Sequence, residues 1–330
     1  MAQPQSPMVP RRVLPGAGFE VSAVGQGGGL GRLDDRSATQ AQREAAAIEV
    51  VRRDVELGIT YFDTSPSYGP NGESERHLGL GLRALVPADR GQVRVSTKAG
   101  THPQRPNKYD ADSIRWSVDQ SLRTLFSERV DILFIHDPRS DGDVDLAFGA
   151  GGALEALDDL KAQGVIGAIG LGVRVHRFLR RAIESGRFDV ILTPYDYTLL
   201  RTSAAPVIDL AAQRGIGVIN GSPYGAGLLA GVDPDVAASR RTPLSQADLE
   251  RARQLWRWCR ERDLDLGVLA MQFSLRHPHI GVTLVGSRTA AEVEDNANHA
   301  VTTVAEETWA ELDRFLATLP PPPPGGEAKA

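Results

Sequence analysis

The sequence predicts an α/β protein of eight strand–helix units, closed as a (β/α)8 barrel or open as a long doubly wound sheet. Three observations carry this. Short β-branched runs alternate with longer helical patterns along most of the chain. The runs are apolar without strict alternation, as expected of parallel strands buried on both faces. The 330 residues are 41% hydrophobic, enough for a large core without disulfide or metal staples. Barrels of this type routinely fill ~250 residues or more as one unit.

Strands are expected at 21–25, 60–62, 93–97, 131–135, 165–170, 190–192, 217–219 and 282–285. Helices are expected at 43–57, 74–84, 110–127, 151–163, 176–185, 203–214 and 289–297. Gly58, Gly164, Gly186 and Gly215 follow helices, where a left-handed residue ends the last turn. Residues 11–20 read as a short hairpin before the first strand, and 245–275 as extra helix before the last. Residues 11–318 are expected to form one domain. The polar segment 1–10 and the tail 319–330, with its five prolines, are expected to be disordered.

Composition excludes several classes. The formal net charge is −5, from 37 basic and 42 acidic residues, which leaves no electrostatic footprint for nucleic acid or an anionic membrane. Cys259 is the sole cysteine, so neither an internal disulfide nor a thiolate cluster can form. No apolar run reaches the ~18 residues of a membrane span, and the N-terminus has no secretory apolar core. A soluble, cytoplasmic protein is expected. The glycine-rich stretch 25–31 has no register matching the Rossmann fingerprint G-x-G-x-x-G. There is no P-loop and no G-x-S-x-G elbow. His277 and His279 are the one close histidine pair and have no third ligand nearby, so no metal is expected.

The informative residues stand at strand ends. An apolar run ends in Asp63, and Tyr68 follows five positions on through a loop of small residues. A second strand ends in Lys98 and a third in His136. In a barrel these C-terminal ends share one face, where active sites form. Singly, each has a bland reading: Asp63 as a turn cap, Lys98 as a surface charge, His136 as a satisfied polar group, Tyr68 as packing. Their joint placement on successive strands is what those readings do not predict. A buried Lys98 ammonium beside Tyr68 would stabilise the phenolate and lower the phenol pKa from its reference of ~10. Asp63 would keep the lysine charged. Tyr68 could then exchange a proton with a substrate oxygen that a neutral His136 orients.

At these residues the chain resembles the aldo-keto reductase superfamily, from about Val13 to about Phe315. The matching stretches are GITYFDTSPSYGPNGESERHLGLGL, VSTKAG, SVDQSLRTLFSERVDILFIHDP, SPYGAGLLAG and VGSRTAAEVEDNANHA. The resemblance implies a (β/α)8 TIM barrel with an N-terminal β-hairpin and extra C-terminal helices. It implies NAD(P) bound without a Rossmann fold, Tyr68 as general acid/base, Asp63 and Lys98 tuning it, and His136 orienting the substrate. It implies cofactor contacts from Gly27, Gly170, Ser222, Pro223, Tyr224, Gly225, Gly286, Ser287, Arg288, Glu292 and Asn296. Within the superfamily, HDP, TKAG and HPHIGVTLVGSR look most like the branch of D-threo-aldose (L-fucose) 1-dehydrogenase, L-galactose dehydrogenase and pyridoxal 4-dehydrogenase.

That branch implies a small sugar or carbonyl substrate. The alternatives are an NADPH-dependent carbonyl reductase and a weakly catalytic, cofactor-sensing regulatory barrel. Glu292, where NADP-preferring members often carry a basic residue, favours NAD, while Arg288 keeps NADP open. The sequence also departs from the family. Neither 170–174 nor 193–197 offers the usual Asn or Gln for the nicotinamide amide, and Ser222 or Tyr224 stands where many members stack an aromatic ring.

Overall fold

Strand parity decides the architecture. Successive side chains of a strand point to opposite faces, and in this chain one parity is apolar and narrow enough to fill a barrel. The computed structural model describes residues 8–33, 35, 37–69, 72–240, 245–322 and 324–326. It opens with an antiparallel hairpin, β1 (Arg11–Leu14) and β2 (Phe19–Ser22). The barrel strands begin with β3 (Val24–Gln26), β4 (Tyr61–Asp63) and β5 (Arg94–Ala99). A small hairpin, β6 (Thr101–His102) and β7 (Arg105–Pro106), follows β5. The barrel resumes with β8 (Val130–His136), β9 (Ile166–Gly172), β10 (Val190–Pro194), β11 (Gly217–Gly221) and β12 (Val282–Val285). The eight parallel strands close, β12 pairing with β3. This selects the barrel over the open sheet.

The helices through the fourth unit are α1 (Gln40–Glu56), α2 (Glu73–Ala84), α3 (Pro87–Gln92), α4 (Ala111–Leu125), α5 (Asp141–Phe148) and α6 (Ala153–Ala162). The remainder are α7 (His176–Ser185), α8 (Ala205–Gln213), α9 (Pro234–Arg240), α10 (Gln246–Arg260), α11 (Leu266–Leu275), α12 (Ala290–Val301) and α13 (Glu306–Thr318). Gly58, Gly164, Gly186 and Gly215 all take positive φ after helices, as expected. None of the helices is long and apolar enough to cross a membrane, among the described residues.

Tyr61, Ile132, Phe134, Ala168, Val190, Leu192, Ile219, Val282 and Leu284 pack as one buried cluster inside the barrel. The opposite parity packs outward against the helices. Leu14 joins the inner cluster from the hairpin and is fully buried. Gly217 and Gly281, at the N-terminal ends of β11 and β12, admit it: a Cβ on Gly281 would lie 2.6 Å from Leu14 Cδ1. Arg12 donates to the carbonyls of Ile280 and Leu275 and ties the hairpin to the base of the barrel.

Some expectations shift. The strand expected at 21–25 is divided. Ser22 still belongs to the hairpin, and its hydroxyl donates to Val24 O while accepting from the amides of Thr60 and Tyr61. That bends the chain at Ala23 before β3 enters the barrel. The helix expected over 245–275 breaks at Asp263, which is left-handed, and restarts with Asp265 capping α11. Two expected disordered segments are in contact with the barrel where they are described. The Val9 amide donates to Leu57 O, and Val9 is buried. At the other end, Arg251 donates to Pro320 O, and Gly326 exchanges hydrogen bonds with Asp196 and His176. The rest of these two segments, 1–7, 323 and 327–330, lies outside the described residues.

Leu14→Ala removes the plug without touching the barrel end that carries Asp63, Lys98 and His136. We expect a loss of about 2–5 kcal/mol of stability, read from urea unfolding, with the barrel fold retained by circular dichroism. A change below ~1 kcal/mol would mean the hairpin does not close the barrel core.

Candidate active site

Asp63, Lys98 and His136 are all inward-facing by parity and end or nearly end three neighbouring strands. Register places Asp63 opposite Ser96, and His136 opposite Gly172. Lys98 is buried and donates to Asp63 Oδ2 at 2.5 Å and to Thr64 O at 2.7 Å. The other Asp63 oxygen accepts from Ser96 Oγ at 2.7 Å, and Ser96 in turn accepts from Tyr61 OH at 2.8 Å. Burial works against the lysine charge, but Asp63 and then Tyr68 outweigh it and hold its pKa above the ordinary value.

Tyr68 sits in the loop between β4 and α2. Its amide donates to Ser65 O, and its carbonyl accepts from the Ser74 amide in the first turn of α2. The Lys98 ammonium lies 4.6 Å from the centre of its ring, and His136 meets the ring edge-on at 5.7 Å. The expected lowering of the phenol pKa is not what the geometry produces. Burial dominates and pushes Tyr68 up to about 12, with Lys98 pulling in the other direction and only partly offsetting it. Tyr68 is therefore a protonated phenol at neutral pH.

His136 is held well below its ordinary pKa, by burial and then by the charge of Lys98, and so is neutral. Its Nδ1 lies 2.6 Å from Thr101 Oγ1 and 3.4 Å from Ser65 Oγ. Tyr109 OH lies 2.9 Å from the carbonyl oxygens of both His136 and Asp137 and shares its one hydrogen between them, tying down the strand end. Beneath the lysine, Glu75 accepts from Thr97 Oγ1 at 2.6 Å, and burial raises its carboxyl to about 7.

Thr101 and Glu75 are contacts the sequence reading missed, as is Gly28. A Cβ on Gly28 would stand 2.5 Å from Tyr68 Cδ2. The glycine-rich stretch after β3 thus makes room for the Tyr68 ring. Gly29 similarly lets the loop approach the backbone of Gly286 and Ser287, within 2.9 Å of a Cβ at that position. The signal was present as a run of glycines lacking a nucleotide fingerprint, but its partner lay 40 residues away in sequence.

The expected cofactor residues divide. Gly27, Gly286 and Ser287 come together where β3 meets β12: the Gly27 amide donates to Val285 O, and Gln26 bridges to both the amide and carbonyl of Ser287. Ser222 is left-handed, its amide donating to Leu284 O, and it begins a tight turn through Pro223, Tyr224 and Gly225. Tyr224 is turned toward α12, where its hydroxyl meets Asn296 and His299. Arg288 and Glu292 pair side by side, with contacts of 2.5 and 3.0 Å, and Glu292 also accepts from the Arg288 amide. Gly170 stands apart from these loops. It lies within β9, where a Cβ would meet the Phe134 ring at 2.2 Å.

The inward positions that end β9 and β11 are Gly172, beside His136 in register, and Gly221, and a Cβ at either would make only ordinary contacts of 3.5 Å or more. These two strand ends put no side chain into the barrel mouth, as a planar ring beside His136 would require, and the loops after β11 and β12 supply hydroxyl, amide and backbone groups. The donor set therefore fits a nicotinamide dinucleotide. Where side chains usually hold the nicotinamide amide, the ends of β9 and β10 instead carry an ion cluster. Arg174 pairs with the fully buried Asp196 at 2.9 Å, and His176 and Arg201 flank the same carboxylate.

A closed parallel barrel with this gathering of Tyr, Lys, Asp and His defines a barrel oxidoreductase. The chain belongs to the aldo/keto reductase family, whose model matches residues 27–317. Members of this family use nicotinamide cofactors. The chain is 32% identical over 322 residues to D-threo-aldose 1-dehydrogenase from a Pseudomonas species, covering 90% of this chain and 94% of the relative. It is 33% identical over 315 residues to L-galactose dehydrogenase of Arabidopsis thaliana, covering 92% and 93%. Pyridoxal 4-dehydrogenase of Microbacterium luteolum is 28% identical over 337 residues, covering 92% and 96%. The fold matches a holo aldo-keto reductase from Bacillus halodurans with a TM-score of 0.71 at 21% identity, covering 92% and 95%.

Gly28→Ala tests the seat of Tyr68. A ring displacement approaching 1 Å costs on the order of 10²-fold in turnover. We expect kcat to fall to that extent with cofactor affinity unchanged, measured by steady-state kinetics and cofactor titration. Wild-type kcat would show that Tyr68 does not need this seat.

Proposed function

We propose that this enzyme is an NAD-linked dehydrogenase of aldoses that oxidises the cyclic hemiacetal to a lactone, with Tyr68 as the general base. The observation that carries the reading is the buried Lys98–Asp63 pair against the face of Tyr68. A charge held there favours phenolate over phenol, and so favours transfer of the anomeric hydroxyl proton to Tyr68. The names of the two relatives above 30% identity, both sugar dehydrogenases, support the substrate class.

The bound nicotinamide supplies the hydride acceptor. Every other task falls to the chain. Neutral His136, held by Thr101, hydrogen-bonds the reacting oxygen without competing for the proton. In its phenolate form Tyr68 takes the hydroxyl proton as the C1–H bond breaks and the C1 carbonyl forms. Lys98 and Asp63 stabilise the charge on Tyr68 and keep it in place. Ser222, Ser287 and Asn296, with the backbone at Gly27 and Gly286, would hold the dinucleotide. The preference for NAD rests on Glu292. Its carboxylate already engages the Arg288 guanidinium, and it would repel a 2′-phosphate while accepting a hydrogen bond from a free ribose hydroxyl.

The pH dependence follows from the sign of the Tyr68 shift. Its pKa is raised to about 12, so the phenol persists at neutral pH and the base form grows as pH rises. Oxidation should accelerate by about tenfold per unit through pH 7–10, while the reverse reduction, which needs the phenol, stays flat. The test is nicotinamide absorbance with NAD⁺ or NADP⁺ and L-fucose, L-galactose or D-arabinose, beside Tyr68→Phe. We expect NAD⁺ reduction by the wild type, a poorer reaction with NADP⁺, and loss of ~10²–10⁴-fold in the variant. Activity confined to NADPH and aldehydes would replace this reading with a carbonyl reductase. Silence with every substrate alongside intact dinucleotide binding would replace it with a sensing barrel.

A further inference from the structure

Away from the tetrad, one chain of polar contacts runs from the surface to the loop after β12. Asp265 caps α11 through one oxygen, which accepts from the amides of Gly267 and Val268. Its other oxygen faces His299 Nε2 at 3.7 Å. His299 Nδ1 lies 2.8 Å from Tyr224 OH, which donates to Asn296 Oδ1, also at 2.8 Å. Asn296 Nδ2 donates to Ser287 Oγ at 3.0 Å. The Ser287 backbone is pinned on both sides by Gln26, so this last hydroxyl cannot drift.

A tyrosine hydroxyl has one hydrogen. Tyr224 donates it to Asn296 Oδ1, and His299 Nδ1 packs against the same hydroxyl at 2.8 Å, with the donor of that contact set by the histidine tautomer. The local packing is shaped around this ring. A Cβ on Gly267 would lie 2.5 Å from His299 Cε1, so only glycine there lets α11 approach. Gln272 donates to the carbonyls of His299 and Ala300 and fixes the backbone beneath it.

We propose that His299, seated by Asp265, is a positioning residue for the dinucleotide site. Through Tyr224 and Asn296 it holds the fully buried Ser287 side chain, and so fixes the β12 loop for the adenosine-diphosphate half of the cofactor. This rests on the reading that the β11 and β12 loops bind a nicotinamide dinucleotide. His299 touches neither substrate nor nicotinamide, so it acts on binding and leaves chemistry alone. Tyr224, although aromatic and beside Ser222, serves as a link in this chain rather than as a stacking platform.

The test uses the full-length protein and three variants. His299→Leu removes the polar contact to Tyr224, His299→Asn restores a polar group near the Nδ1 position, and Asp265→Asn keeps an oxygen cap on α11 but removes the charge facing His299. NAD⁺ affinity is read by intrinsic fluorescence and calorimetry, and kcat at saturating NAD⁺. One hydrogen bond in such a chain corresponds to about tenfold in affinity. We expect Kd and KM for NAD⁺ to rise by about that factor in His299→Leu, with kcat within about twofold, and most of the affinity to return in His299→Asn. Asp265→Asn should weaken binding in the same direction and decides the matter if His299→Leu does not fold. Unchanged affinity in the folded variants would overturn the proposal, as would a loss that His299→Asn fails to restore or one confined to kcat. A wild type that binds neither NAD⁺ nor NADP⁺ would remove the functional reading and this inference together, whereas tight wild-type binding with insensitive variants would remove the inference alone.

Discussion

The buried contact between Lys98 and Asp63 is the constraint around which the barrel end that carries Tyr68 and His136 is arranged. Taking both charges out of water is costly, and breaking such a pair by removing one partner is commonly worth about 3–5 kcal/mol. The structure offsets this cost with close partners on each side: Thr64 O for the ammonium, Ser96 for the carboxylate, and Tyr61 behind Ser96. Those partners come from β4, from β5 and from the loop that carries Tyr68. Fixing the ion pair therefore also fixes the Tyr68 loop. Gly28, in the glycine run that follows the first barrel strand, makes room for the Tyr68 ring.

The charges near this pair act on the groups around it with opposite consequences. Lys98 favours phenolate on Tyr68 and disfavours imidazolium on His136. Burial resists the first effect and reinforces the second. The result is a neutral histidine and a phenol that can give a proton, and whose phenolate form, favoured by Lys98, can take one. Two titratable groups with different environments, one firmly neutral and one poised high, are what a site needs to orient an oxygen with one residue and move its proton with the other.

Much of this was legible in the sequence because it depends on local order. Asp63, Lys98 and His136 follow apolar runs, and strand parity alone turns them inward. The glycines after helices were legible for the same reason. What could not be read depends on contacts distant along the chain. Ser22 bends the first strand by accepting from Thr60 and Tyr61, so the run at 21–25 looked continuous. Gly170 sits in a segment that resembles a cofactor strand, yet Phe134 across the barrel claims its space. The phenol pKa was misjudged because the lysine charge is visible in a sequence and the degree of burial is not. The tail was judged by its prolines alone. Its glycines find Asp196, whose carboxylate is surrounded by Arg174, His176 and Arg201 from two other loops.

The central claim is that the Lys98 charge, held by Asp63, makes Tyr68 a competent base. The direct measurement is the single-turnover rate of sugar oxidation at saturating NAD⁺ in Lys98→Met, followed across pH, with NAD⁺ affinity measured on the same protein. Loss of the cation should slow turnover by on the order of 10²–10⁴-fold at neutral pH without weakening NAD⁺ binding, and the deficit should persist as pH rises because Tyr68 becomes harder to ionise. Near-wild-type turnover in Lys98→Met would contradict the claim and place the source of proton transfer elsewhere on the barrel face.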